Sequence, residues 1–326
     1  MGTLLNRRRY MGGVAEPNYL MTTETNPEVL AICYSKGWCA SSDYMTYEEA
    51  AAVTNIGTTF MNKKTITHFE ELEYFRITAL SSNNFFDCNN LVSIHIPSTC
   101  TNIHYSAFRG ASKLKTIVVN SSNTVYDSRN DCNAIIRTST NALIVGGTDA
   151  TIPDTVASIG EGAYYDRNIL SSITIPASCT SIGVSAFRDA LITGITFVLP
   201  SLLTTVGNYA FYDQRFPNTY AFEFPEGTKT VGNSLFLAGP RTFGNGKIIF
   251  PSTIESIGAN SLRVGNTSTE KTIVIKATTP PSFNNDGNYI SGVSIYVPDN
   301  NVNDYKESSY WSNLASIIKG ISELPS

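Results

Sequence analysis

Three histidines and six cysteines are the residues of this chain best suited to acid–base, nucleophilic or metal chemistry, so their spacing comes first. His68, His95 and His104 lack the paired-histidine spacing with an intervening Glu that holds zinc on a helix face. A Ser-His-Asp or Cys-His arrangement would have to recruit one of them. In the repeat register described below, His95 would meet an acid only if Glu223 shared its rung, and the stacking order forbids that; all three read as exposed surface histidines. Cys33 and Cys39 could pair, but Cys-x5-Cys is not a specific zinc spacing. Gly244-Asn245-Gly246-Lys247 resembles the end of a phosphate loop, yet Arg241 holds the first glycine position and Ile248 the Ser/Thr position. There is no G-x-S-x-G string and no calcium loop of alternating acids. The expectation is therefore a protein that is not an enzyme, with no catalytic residue, no metal and no cofactor.

Composition narrows the partners. Charged residues are 15% of the 326, against about 25% in an average soluble domain, while apolar residues at 42% suffice for a large core. The polar surface must then be mostly Ser, Thr and Asn. Lys plus Arg is 23 and Asp plus Glu 27, a net charge of −4, which removes the general electrostatic case for nucleic acid. The triplet Arg7, Arg8, Arg9 precedes no apolar run of leader length, so a secretory signal is not expected. Nor does any stretch approach the roughly 18 apolar residues of a spanning helix, so the chain is not integral to a membrane.

Length alone suggests two domains at roughly 150 residues each, but internal repetition overrides it. Ser158-Ile159-Gly160 through Tyr164, Ser181-Ile182-Gly183 through Phe187 and Thr205-Val206-Gly207 through Phe211 are one motif. Weaker copies run from Thr230 to Phe236 and from Ser256 to Leu262, and an earlier one from Asn102 to Phe108 has His104 in place of Gly. The glycines at 160, 183, 207, 232 and 258 are spaced by 23, 24, 25 and 26 residues. Upstream of each copy lies a short alternating segment such as Ile94-His95-Ile96-Pro97, Ile173-Thr174-Ile175-Pro176 or Phe222-Glu223-Phe224-Pro225, which reads as a strand ended by proline. A unit with one short strand cannot cover its own apolar face. Stacked units can, as a solenoid with parallel strands and continuous Ile/Val, Gly and Phe columns. About nine rungs at roughly 4.8 Å would give a sheet on the order of 43 Å long.

The unit Leu-x-x-Ile-x-Ile-Pro-x-x-Val-x-x-Ile-Gly-x-x-Ala-Phe resembles the BspA-like leucine-rich repeat, a type associated with surface proteins of oral and gut anaerobes and spirochaetes. The resemblance covers roughly residues 67–298. It extends to the insertion from Asn120 to Gly147, which resembles a variant repeat of that family, and to the ending Ile295-Tyr296-Val297-Pro298 with Tyr305, Tyr310 and Trp311. The implied fold is a β-rich α/β repeat solenoid: a parallel sheet of short strands with helical caps at both ends.

The caps follow from the open ends. Thr46-Tyr47-Glu48-Glu49 and Thr67-His68-Phe69-Glu70 both read as capping boxes opening helices. Trp311, Leu314, Ala315 and Ile318 form an amphipathic stripe at the other end. The expected division is an extended arm over 1–30, an N-terminal cap over 31–76, the solenoid over 77–298 and a C-terminal cap helix over 299–326. Cys100 and Cys179 occupy the column of Val156, Leu203 and Ile254, and Cys88 that of Ala111 and Ala190, so these cysteines act as small hydrophobes.

Outward strand positions give the candidate contact face. One column reads Ser93, Thr116, Ser172, Thr196, Ala221, Lys247, Thr272, Ser294; its neighbour reads His95, Val118, Thr174, Val198, Glu223, Ile249, Val274, Tyr296. The apolar turn of the second column at Val198, Ile249, Val274 and Tyr296, with Glu223 among them, marks a contact surface; equally, β-branched residues suit a parallel ladder. Two functions follow. One is a binding or adhesion module presenting its repeats to a protein or glycan receptor, extracellular or at a bacterial surface, as the resemblance implies. The other is a virion structural, decoration or attachment protein docked on other virion proteins through Arg7, Arg8 and Arg9. An oligomer is compatible with either.

Overall fold

The computed structural model describes residues 18–167, 173–190, 198–213, 221–236, 247–263, 271–283 and 292–325. Rungs at both ends of the stack contribute two strands rather than one, whereas the expected strand at 173–176 runs without a ladder partner among the described residues. The expected strands form a primary ladder: His68–Phe69, Ser93–Ile96 and Thr116–Val119 in the N-terminal part, then Ala221–Glu223, Lys247–Phe250, Lys271–Ile275, Val293–Val297 and Ile318–Gly320. The return segments form a second parallel ladder of two-residue strands, Ser158–Ile159, Ser181–Ile182, Thr205–Val206, Thr230–Val231, Ser256–Ile257 and Ser282–Phe283. Here a hydroxyl residue faces out and a β-branched or aromatic residue faces in, the minimum that a pleated pair needs.

The glycine column follows from rung spacing. A Cβ on Gly232 would lie 2.5 Å from the carbonyl carbon of Gly207, and one on Gly258 2.3 Å from that of Gly232. Any other residue would push neighbouring rungs apart. Proline carbonyls close the turn after each primary strand: Cys100, Val156, Cys179 and Leu203 donate their N–H to Pro97, Pro153, Pro176 and Pro200 at 2.9–3.2 Å. Hydroxyl side chains then tie each rung to the one before. Thr99, Ser178, Thr228 and Thr253 donate to carbonyls of Ile77, Val156, Leu203 and Thr228 at 2.7–3.1 Å. The Ser and Thr that replace charge in this composition are therefore part of the framework.

The segment read as a variant repeat is an antiparallel hairpin. Ala134–Arg137 pairs with Ala142–Gly146, and Tyr126–Asp127 extends the sheet. Both faces of the hairpin are buried, which divides the core in two. Ile135 and Val145 pack with residues 21–126, whereas Ala134, Ile136 and Leu143 pack with residues 132–318. Arg167, 2% exposed, crosses this wall. Its Nε donates to Gly146 O at 2.9 Å, and its Nη1 to Phe108 O at 3.1 Å and Ala111 O at 3.2 Å.

The ends depart from expectation in three places. Residues 18–30 do not extend as an arm: Tyr19–Thr22 pairs antiparallel with Tyr44–Thr46, and the helix Pro27–Ser35 buries Val29, Leu30 and Cys33. Thr46 does cap the helix Tyr47–Ala52, its Oγ1 accepting from Glu49 N at 3.2 Å while Glu49 Oε2 accepts from Thr46 N at 2.8 Å. The Thr67 capping box does not form; His68–Phe69 is instead the first strand of the primary ladder, followed by the 3-10 turn Glu70–Tyr74. At the C-terminus the helix is Val302–Glu307, and Trp311 to Ile317 runs through 3-10 geometry because Ile318–Gly320 must extend to cover the last primary strand. Trp311 is still a cap residue, fully buried with its Nε1 donating to Pro281 O at 2.8 Å. Among the described residues no helix is long and apolar enough to cross a membrane.

Candidate binding surface

The primary ladder pairs the outward columns in the expected register: Glu223 with Ile249, Ile249 with Val274 and Val274 with Tyr296. Their exposure differs along the stack. Val198 stands 66% exposed, Glu223 is exposed and Ile249 half-buried, but Val274 and Tyr296 are only 6% and 4% exposed. Tyr296 pairs with Lys319 on the closing strand, whose ammonium lies 5.8 Å from the ring centroid. Of the positions expected from Val198 to Tyr296, those at the N-terminal end are accessible, whereas Val274 and Tyr296 are buried. Glu223 is held by Lys276 at 2.8 Å. Arg7, Arg8 and Arg9, with Ser172, Thr196 and Gly244 to Gly246, lie outside the described residues.

A second column escaped the sequence reading although the repeat register carries it. The residue after each buried ring is Phe86, Arg109, Tyr165, Arg188 and Tyr212 in turn. Arg109 lies 5.6 Å over Phe86 and 4.7 Å over Tyr165, and Arg188 lies 5.4 Å over Tyr165 and 4.5 Å over Tyr212. Beside it Asp87, Asp166, Asp189 and Asp213 all adopt positive φ of 54–57°, a turn that short polar side chains tolerate. Asp166 and Asp189 ion-pair with Arg109 and Arg188 at 3.4 Å. Burial raises both carboxyl pKa values, with neighbouring aspartates adding to the rise and the arginines opposing it. Rings, guanidiniums and carboxylates are spent on one another here, so this corner clamps rungs together rather than leaving groups for a ligand.

The histidine reading needs correction. His95 is half-buried, and its Nδ1 lies 3.7 Å from Glu73 Oε1, an acid from the 3-10 turn before its own rung. The two open onto a cleft of about 600 Å³ lined by Val118, Asn120, Ser121, Asp127, Arg129 and Asp131. Arg129 chelates Asp127 through two bonds of 2.7–2.8 Å and reaches Asn141 at 2.9 Å. Asn120 Nδ2 donates to Glu73 Oε2 at 3.3 Å. The missed signal was the strand Thr116–Val119, which ends in Asn120-Ser121-Ser122 where other copies have proline and so opens a polar turn.

All six cysteines are buried free thiols, Cys33 and Cys39 included. Burial pushes the Cys33 thiol up to about 12 and those of Cys88 and Cys100 to about 11, which keeps them protonated. Among the described residues no group of His, Cys, Asp and Glu could hold a metal ion.

Comparison with known proteins agrees with this architecture. The chain resembles the pneumococcal vaccine antigen PcpA with a TM-score of 0.50 and 16% identity, over 78% of this chain and 68% of that one. A leucine-rich cell surface protein of Faecalibacterium prausnitzii aligns at a TM-score of 0.33 and 17% identity, over 58% of this chain and 57% of its own. A leucine-rich repeat protein of Eubacterium ventriosum aligns at 0.34 and 19%, over 71% of this chain and 47% of its own. No curated protein matches. Residues 38–135 and 146–268 match the BspA type leucine-rich repeat region in six copies, and with two ladders, a glycine column and a ring column repeating in register, the chain belongs to the BspA-type leucine-rich repeat family.

Proposed function

We propose that this chain is a non-enzymatic binding or adhesion module that presents its repeat surface to a protein or glycan partner outside the cell. The observation that carries the reading is the exposed outward stretch at and just before the start of the C-terminal primary sheet. Val198 stands 66% exposed one rung before the first strand of that sheet, at the repeat position that Glu223 and Ile249 hold on the paired strands. A β-branched side chain has few rotamers to lose when a partner covers it.

The test is a screen of the intact chain against protein and glycan arrays, with Val198→Asp combined with Ile249→Asp as the comparison. Retention of a protein ligand by the wild type, weakened about tenfold or more in a double variant of unchanged melting temperature, is the expected result. Unchanged retention by the folded double variant would remove the ladder face from the interface, and the absence of any ligand would refute a binding role.

A further inference from the structure

The cleft beside the N-terminal primary ladder brings together polar groups with bonding capacity to spare. Asp127 is committed to Arg129, but the hydroxyl of Ser121 and the carboxylate of Asp131 make no hydrogen bond among the described residues. Glu73 accepts from Asn120 and faces His95, and it holds lone pairs in reserve. The floor is Val118, exposed and apolar on its strand. Tyr74, the exposed neighbour of Glu73 in sequence, meets Tyr47 edge-on at 4.8 Å. The volume of about 600 Å³ falls within the usual range for small-ligand sites.

We infer that this cleft binds a neutral glycan, with hydroxyls bonded to Glu73, His95, Ser121 and Asp131 and a C–H face laid on Val118. Sugar hydroxyls donate and accept at once, and the unspent groups are a mixture of acceptors and donor–acceptors beside an apolar patch. Three carboxylates, Glu73, Asp127 and Asp131, face one guanidinium that is already chelated, so a sialylated or sulfated glycan meets net negative charge. A lysine-rich peptide would use carboxylates alone, and Asp127 is closed to it while Glu73 is partly so. This inference rests on the binding-module reading and gives the module a glycan site apart from its ladder face.

The experiment applies the intact chain to an array of neutral, sialylated and sulfated glycans and lysine-rich peptides. Glu73→Gln, Ser121→Trp and the Val198→Asp/Ile249→Asp chain run in parallel, each with its melting temperature. Neutral glycans are retained by the wild type, about tenfold or more weaker in Glu73→Gln, lost in the exposed cleft-blocking Ser121→Trp and unchanged in the ladder-face variant. Retention of acidic glycans or basic peptides alone, or neutral-glycan binding indifferent to Glu73→Gln and Ser121→Trp, overturns the assignment. A protein ligand lost only in the ladder-face variant, with no glycan retained, overturns the cleft and leaves the module standing; an array with nothing retained overturns both.

Discussion

Arg167 joins the two halves of the core, and its replacement should separate them. The guanidinium is buried with no carboxylate bonded to it, and burial pulls its pKa down to about 10, so it stays charged at neutral pH. Its bonds to Gly146, Phe108 and Ala111 carbonyls, at 2.9–3.2 Å, are charge-assisted and worth roughly 1.5–3 kcal/mol each. Against the roughly 4–9 kcal/mol gross stands the several kcal/mol cost of burying a lone cation. Phe108 O and Ala111 O also keep the N–H donors of Ala111 and Leu114, so neither is orphaned. Arg167→Met, which keeps the apolar stem, should therefore cost about 2 kcal/mol, and Arg167→Ala, which also opens a cavity, about 3 kcal/mol. The chain has two tryptophans, and each reports one half: Trp38 packs against Phe60 and Phe75, and Trp311 against Phe283 and Tyr305. Urea titrations of Trp38→Phe and Trp311→Phe backgrounds should give coincident midpoints with Arg167 present and separated midpoints with Met in its place. Coincident midpoints and a loss below about 0.5 kcal/mol in Arg167→Met would refute the coupling.

Phe187→Ala removes a ring stacked at 5.2 Å on Tyr164 and 5.6 Å on Phe211, and should cost about 3–5 kcal/mol in urea denaturation. Gly232→Ala forces a Cβ against the Gly207–Asn208 backbone and should cost about 1–3 kcal/mol, read from the loss in melting temperature. Asp166 and Asp189 bind protons more tightly folded than unfolded, so their stabilising contribution is present below the ordinary carboxylate pKa and lost as pH rises through the raised one. Melting of the wild type against Asp166→Asn/Asp189→Asn should therefore shift in favour of the wild type on acidification through that window; a flat difference would contradict it.

Glycine spacing and proline-ended strands made the solenoid and its columns legible, because a stacked rung repeats its chemistry at a fixed interval. The second ladder was not, since Ser181-Ile182 or Thr205-Val206 is too short for alternation to register. Thr67-x-x-Glu70 misled because the capping pattern is local, while His68 answers to its pairing with Ser93 on the next rung. Glu73 was missed beside His95 for a related reason: they meet through a turn that precedes the regular repeats, where register offers no guide. The arginine–aromatic corner was in register throughout and was passed over because each of its residues alone is unremarkable.

Rung spacing also sets shape. Paired strands sit about 4.8 Å apart, yet the buried rings stack at 5.2, 5.6 and 6.0 Å from Tyr164 to Phe236. Centroids of offset rings lie farther apart than their planes, so successive rings slip sideways as they stack, and paired strands also twist relative to one another. Adding or deleting one rung would rotate the two ends relative to each other as well as separate them, so the number of repeats fixes the angle at which anything held at one end faces whatever is bound at the other.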